Sequence, residues 1–337
     1  MYNQPMPIAD LDLAAAEYRA VRAGCGLVDR GDWGVLEVTG RDRASFLHAL
    51  VSNDVKALAP GQGCAASLLD VHGKVQEVLL VWALDDRIVL VTPPGRAATA
   101  LEALDHYLFS EKAVLEDTTG SLALLILAGP QAPAVAERLA GVRPPEAPWS
   151  HAAGTFSGTA MRVVRGGGET GEAEAWLVAP AALGPALAEA ARATGARPVG
   201  PAALESLRIE AGTARFPEDI GPATLLPEVP FAHLVSYSKG CYPGQEVVVR
   251  IRDRGHVNRH LRGLVLDGEE VPEAGSEVVA GNAGIGAVTS AAWSLGLERP
   301  IALAIVRRQH AEPGTAVGVR IGDRVVPATV SALPLIR

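Results

Sequence analysis

The chain has 337 residues, 48% of them hydrophobic and 20% charged, with a formal net charge of −8. This composition excludes a disordered chain, and the length calls for two or three packed units rather than one core. The acidic balance argues against broad adhesion to nucleic acid or anionic membranes and leaves room only for local basic patches.

A first helix is expected from Asp10, a good N-cap, to Gly24, a good C-terminal stop. Trp33 to Val38 alternates as a strand, and Asp42 can cap a helix carrying Phe46, Leu47 and Leu50 on one face. Residues 64–70 and 74–84 read as a hairpin closed by Asp70-Val71-His72-Gly73, with a further strand at 87–92. A helix over 96–108, strands at 113–117 and 122–128, and a helix over 131–140 complete an α+β unit. The proline-rich stretch 141–150 ends no obvious element and marks a subdomain crossing. Strands near 155–165 and 174–179 and helices near 182–194 and 201–212 follow. After Glu246, short apolar strands divided by Gly, Pro and Asp predict a small β-barrel or sandwich of about ninety residues. The expected division is 1–245, α+β, and 246–337, the barrel.

No apolar run approaches the roughly eighteen residues of a membrane span, and residues 1–12 lack the pattern of a leader. Cys25, Cys64 and Cys241 have no CxxC spacing and cannot all pair. Neither a disulfide framework nor a structural metal site is expected, which suits a reduced, cytoplasmic protein.

The most informative stretch is Lys239-Gly240-Cys241-Tyr242-Pro243-Gly244-Gln245-Glu246. Two glycines and a proline make a tight loop, and a lysine two residues before the cysteine can favour its thiolate. Cys241 is thus a candidate functional thiol with Lys239 as its activator; a small packing residue in a glycine turn is the plain alternative. Residues 247–254 read as a strand, which would set Arg250, Arg252 and Arg254 on one face. Three like charges there call for an anionic partner, or else protect an exposed sheet edge. A cysteine hydrolase using Cys241 with His256 or His260 lacks an acidic residue to orient the base.

The KGCYPGQE loop resembles the signature of the YgfZ family, a branch of the folate-binding superfamily that includes the aminomethyltransferase (T-protein) of the glycine cleavage system. Leu207-Arg208-Ile209-Glu210-Ala211-Gly212, Thr170-Gly171-Glu172, and Val38 to Asp42 running to Phe46-Leu47 resemble segments common to the superfamily. The resemblance implies two interleaved α/β subdomains and a C-terminal barrel, arranged as a cloverleaf around a central folate channel. It also implies tetrahydrofolate, or a derivative, as cofactor. A pterin presents adjacent N–H donors that a carboxylate accepts side by side, and the resemblance assigns this to Glu172. Arg208 is a second candidate ligand contact, or else a partner for Glu210, and Arg250 and Arg252 could meet the glutamate tail.

One departure bears on the chemistry. Aminomethyltransferases carry an aspartate pair in the hairpin where this chain has Gln76 and Glu77. Glutamine cannot move a proton, and the Glu77 carboxylate is set one methylene further out. The leading expectation is therefore a folate-binding accessory factor for iron–sulfur cluster assembly or repair in client proteins such as tRNA-modifying enzymes. Nucleic acid would be met only through those clients. The alternative is a folate-dependent aminomethyltransferase or methyltransferase.

Overall fold

The computed structural model describes residues 8–336. A five-stranded antiparallel sheet runs Gly63–Leu69, Val75–Ala83, Ile88–Thr92, Gly34–Thr39, Val114–Asp117 in spatial order. A six-stranded sheet runs Arg197–Pro198, Gly26–Asp29, Leu122–Ala128, Glu174–Pro180, Thr159–Arg165, His151–Phe156, parallel only at its first pair. Six strands between Arg259 and Ser331 close an antiparallel barrel. The mixed α/β architecture with a terminal barrel is the one anticipated.

The two sheets are interleaved in sequence. The chain leaves the six-stranded sheet after Asp29, builds the other from Gly34 to Asp117, and returns at Leu122. The expected crossing at 141–150 is displaced: this segment joins helix Ala132–Ala140 to strand His151–Phe156 within one unit. Gly141, at φ +68°, ends the helix, and the prolines lie in the connection that follows. The first helix begins at Ile8, two residues before the expected cap. Asp42 precedes helix Arg43–Leu50 without capping it, because its carboxylate accepts from Lys112 N at 2.8 Å.

Each sheet is covered on its outer face by helices whose apolar side chains recur at helical spacing. Ala97, Ala100 and Leu104 of helix Ala97–Asp105 pack with Leu36, Leu79 and Leu90. Val135 and Leu187, from helices Ala132–Ala140 and Gly184–Ala193, pack with Leu127 and Leu177. The inner faces of both sheets and one wall of the barrel share a central cluster that holds Val35, Trp82, Ile126, Trp176, Phe216, Leu261 and Leu303. Strand alternation sorts the two layers: Leu79 and Val81 face the outer helices, while Leu80 and Trp82 face the centre.

The stretch after the KGCYPGQE loop is a helix, Gln245–Arg254, and not a strand. Gly244 takes φ +76° just before it, and a Cβ there would lie 2.5 Å from Asp70 O. This close fit of the loop on the 70–73 turn launches the helix and lays Val248 into the central cluster. Arg252 and Arg254 then fall in its last turn, where the helix dipole favours cations.

Candidate functional site

Aromatic rings crowd the place where the three units meet. The Trp176 indole is edge-on to Trp33, Trp82 and Trp149 at centroid distances of 5.5, 6.0 and 5.9 Å. The indole nitrogens of Trp33, Trp82 and Trp176 are buried with no hydrogen-bond partner. Phe216 belongs to the same cluster, and the Arg96 guanidinium lies 5.2 Å from its ring centroid. Arg96 pairs with Glu77, which is fully buried. Glu77 Oε2 and Arg96 Nε are themselves buried and unpartnered. Burial raises the Glu77 pKa, with Arg96 pulling the other way. Buried polar atoms are nearly always satisfied, so several orphans in one region mark a place built to meet a polar, flat-faced molecule or ordered water. Gln76 stays half-buried and reaches only Lys74 O, at 3.4 Å.

The loop beside this cluster is shaped by glycine. A Cβ on Gly167 would sit 2.4 Å from the Trp149 ring, and one on Gly166 would meet Glu174 and Trp176. The loop folds over the buried Glu174 carboxylate, which accepts from Gly168 N (3.1 Å), Thr170 N (3.0 Å) and the Thr170 hydroxyl (3.3 Å). Burial, then the nearby Glu169, push its pKa up to about 7. Glu169 is tied to Arg30 at 2.7 Å and Arg215 at 3.1 Å. Glu174 carried no motif of its own; its burial at the head of a continuous apolar strand is what sets it apart.

Glu172, expected to hold the pterin, stands on the surface side of the loop. It pairs with Arg22 at 3.0 Å and lines a surface cleft of about 440 Å³ with Tyr18, Gly296 and Ile336. The TGE turn points this residue outward while Glu174 turns in.

Arg208 is also relocated. It is fully buried, and its guanidinium donates to Glu205, to Thr213 O (2.7 Å) and to Asp219 (2.6 Å). Four of its five N–H groups are taken within the fold, none of the side chain is exposed, and its partner is not Glu210. Glu210 instead accepts from Tyr18, Arg22, Ser206, Ser294 and Gly296 N, joining the first helix to the barrel. Asp219 does the same for Arg208, taking the Thr289 and Ser290 hydroxyls of the barrel at 2.5 and 2.6 Å.

In the signature loop, Cys241 is exposed, Cys25 is buried and Cys64 is intermediate. Burial pushes both Cys25 and Cys64 up to about 12. Lys239 does not face solvent beside Cys241: its ammonium donates to His48 O and Val51 O at the end of helix Arg43–Leu50 and stacks 4.8 Å over the Tyr242 ring. Burial lowers its pKa to about 8. Lys239 thus bolts the loop to the sheet, with its ammonium still within electrostatic reach of the Cys241 thiol it was expected to activate. The histidine next to the loop is one that sequence reading passed over. His48 Nδ1 lies 3.1 Å from Asp54 Oδ1, and its Nε2 faces Gly240, where an added Cβ would be 3.8 Å away. His256 is exposed beyond the helix.

Because residues 245–254 are helical, Arg250, Arg252 and Arg254 do not share a strand face. Arg252 is taken up by Asp253 (2.5 and 2.9 Å) and stacks 4.2 Å over Tyr237. Arg250 and Arg254 sit one turn apart in solvent, remote by orientation from the interior cluster that Val248 enters.

A fold of two interleaved sheets and a closed barrel, meeting at an aromatic interior, defines a class that comparison with known proteins identifies. Residues 3–239 match the GCVT N-terminal domain, and residues 259–336 match the glycine cleavage T-protein C-terminal barrel domain. The chain is 31% identical to an aminomethyltransferase of Streptomyces avermitilis, covering 95% of this chain and 89% of that protein. It is 32% identical to an aminomethyltransferase of a Synechococcus species, covering 96% and 90%. The crystal structure of the glycine cleavage system aminomethyltransferase T from Bartonella henselae superposes with a TM-score of 0.86 at 25% identity, over 96% of this chain and 89% of that one. The chain belongs to the glycine-cleavage T-protein superfamily. No helix among the described residues is long and apolar enough to cross a membrane.

Proposed function

We propose that the protein binds a reduced folate where the two sheets and the barrel meet, and serves one-carbon group transfer of the aminomethyltransferase type. The observation that carries this is the aromatic interior with three unpartnered indole N–H groups, to which the buried Glu77 carboxyl, one oxygen still free, is joined through Arg96 over the Phe216 ring. These residues fit a pterin: Trp82, Trp176 and Phe216 offer flat apolar walls, the indoles donate, and Glu77 accepts. Bound tetrahydrofolate would supply the amine nitrogens that carry a one-carbon unit. The chain's own part is to exclude water with the indoles and to offer the Glu77 carboxyl as acceptor, its pKa drawn upward by burial and downward by Arg96. Arg96 fixes the direction of that carboxyl. The names of relatives matched over almost the whole chain support transfer over the accessory role.

A second reading is favoured by one observation: Cys241 alone of the three cysteines is exposed, on a loop pinned by Lys239. With Gln76 in place of an acid, the loop's spelling supports a YgfZ-type factor that binds folate and serves iron–sulfur proteins through this thiol.

Titration calorimetry with tetrahydrofolate tests the shared claim. Glu77→Gln is expected to weaken binding by about 1.5–3 kcal/mol, the worth of a hydrogen bond to a charged group. No heat with the wild type, and no competition from any reduced folate, would remove both readings. Turnover on reconstitution with the other glycine-cleavage components selects the first reading. Folate binding without turnover, together with loss of iron–sulfur enzyme activity in cells carrying Cys241→Ser, selects the second.

A further inference from the structure

The helix Gln245–Arg254 buries only Val248, and its outward side is cationic. Arg250 and Arg254 are exposed and stand one turn apart. Neither forms an ion pair among the described residues, whereas Arg252 is neutralised by Asp253. The only other carboxylate on the helix is Glu246, in the first turn. His256 follows in solvent, and the ring of Tyr237, 44% exposed, lies under Arg252. Cys241, four residues before the helix, is exposed.

Several features exclude simpler readings. The dipole of a short helix accounts for cations in its last turn, yet Arg250 lies before it. Protection of a sheet edge does not apply, because the segment is not a strand. The chain as a whole carries −8, against which two unpaired guanidinium groups one turn apart form a local cationic patch. We propose that this helix face is a docking surface for a protein partner that presents carboxylates, with Tyr237 as its apolar contact and Cys241 at its edge. Single-stranded RNA suits the surface poorly. Two free guanidinium groups are few for a phosphate track. The surface is separate from the interior folate site, so the two stand or fall independently.

Cys241 makes the electrostatics of this surface measurable without a known partner. A short Glu-rich peptide with one cysteine, activated as its mixed disulfide with thionitrobenzoate, is compared with a Lys-rich counterpart. The Cys241 thiolate attacks the peptide sulfur, a Cys241–peptide disulfide forms, and the peptide–thionitrobenzoate bond breaks with release of the coloured thiolate. Cys241→Ser sets the background from the other cysteines. The Glu-rich peptide is expected to react several-fold faster at low salt, because opposite charge raises encounter rates. That preference should vanish in half-molar salt and in the double variant Arg250→Gln, Arg254→Gln. It should persist in Arg250→Lys, Arg254→Lys, which keeps the charge. Equal rates for the two peptides, or a preference untouched by the glutamine variant, overturns the proposal. So does a short RNA bound by the wild type and released by the same variant, which would assign the surface to nucleic acid.

Discussion

Glu174 shows how a single buried carboxyl can set a pH response. Burial and Glu169 carry it from the usual 4.5 to about 7 despite three hydrogen bonds that favour its charge. Between these values the folded chain holds a proton that the unfolded chain has lost. The stability this group contributes is therefore fully present below about 4.5 and is lost as pH rises through 7. Glu174→Gln, neutral throughout, should gain on the wild type as pH rises from 5 to 8, apart from a constant offset for changed loop contacts. Melting temperatures of the two proteins across that range read this directly; parallel curves would mean that Glu174 ionises like a surface acid.

At the scale of elements, the glycine loop 166–168 and the helix 245–254 carry the informative constraints. Gly167→Ala places a methyl 2.4 Å from the Trp149 ring, so the indole or the loop must shift. A loss of about 1–3 kcal/mol is expected from such overpacking, with a change in tryptophan fluorescence as Trp149 leaves its edge-on contact with Trp176. Unchanged stability and emission would mean that the loop yields freely.

Elements with clean periodicity were legible in the chain: the hairpin 63–83, the helices after Pro201 and Gln131, and the barrel strands all follow patterns local to themselves. The helix 245–254 was not, because Val247-Val248-Val249 and alternating arginines carry strand propensity. What overrides it is the fit of Gly244 on the 70–73 turn, a contact 170 residues away in sequence. The site divides in the same manner. Glu77 was visible as a departure in a hairpin, whereas the partners that bury Arg208 and turn Lys239 inward come from Asp219 and His48, which no local pattern pairs with them.

Across the whole molecule, two buried carboxylates fasten the barrel to the rest. Arg208 and Asp219 are both without solvent exposure, and Asp219 also takes two barrel hydroxyls. Asp219→Ala would leave the Arg208 charge with only Glu205 at the junction. A loss of about 3–5 kcal/mol is expected, as for a buried pair broken on one side. Calorimetry should also show the barrel melting apart from the two sheets; a single transition at an unchanged temperature would mean that the apolar contacts alone hold the barrel.

The same junction dictates an order of assembly. The floor of the aromatic interior is laid by Leu261, Ile301 and Leu303, and Glu210 waits for Ser294 and Gly296 to complete its contacts. On a ribosome these groups emerge last, long after Trp82 and Trp176. Until then the growing chain shows its most apolar face to water, which makes this the interval when it most needs shielding from its neighbours. The interior that would receive a ligand is thus a late product of synthesis, finished only as the barrel closes.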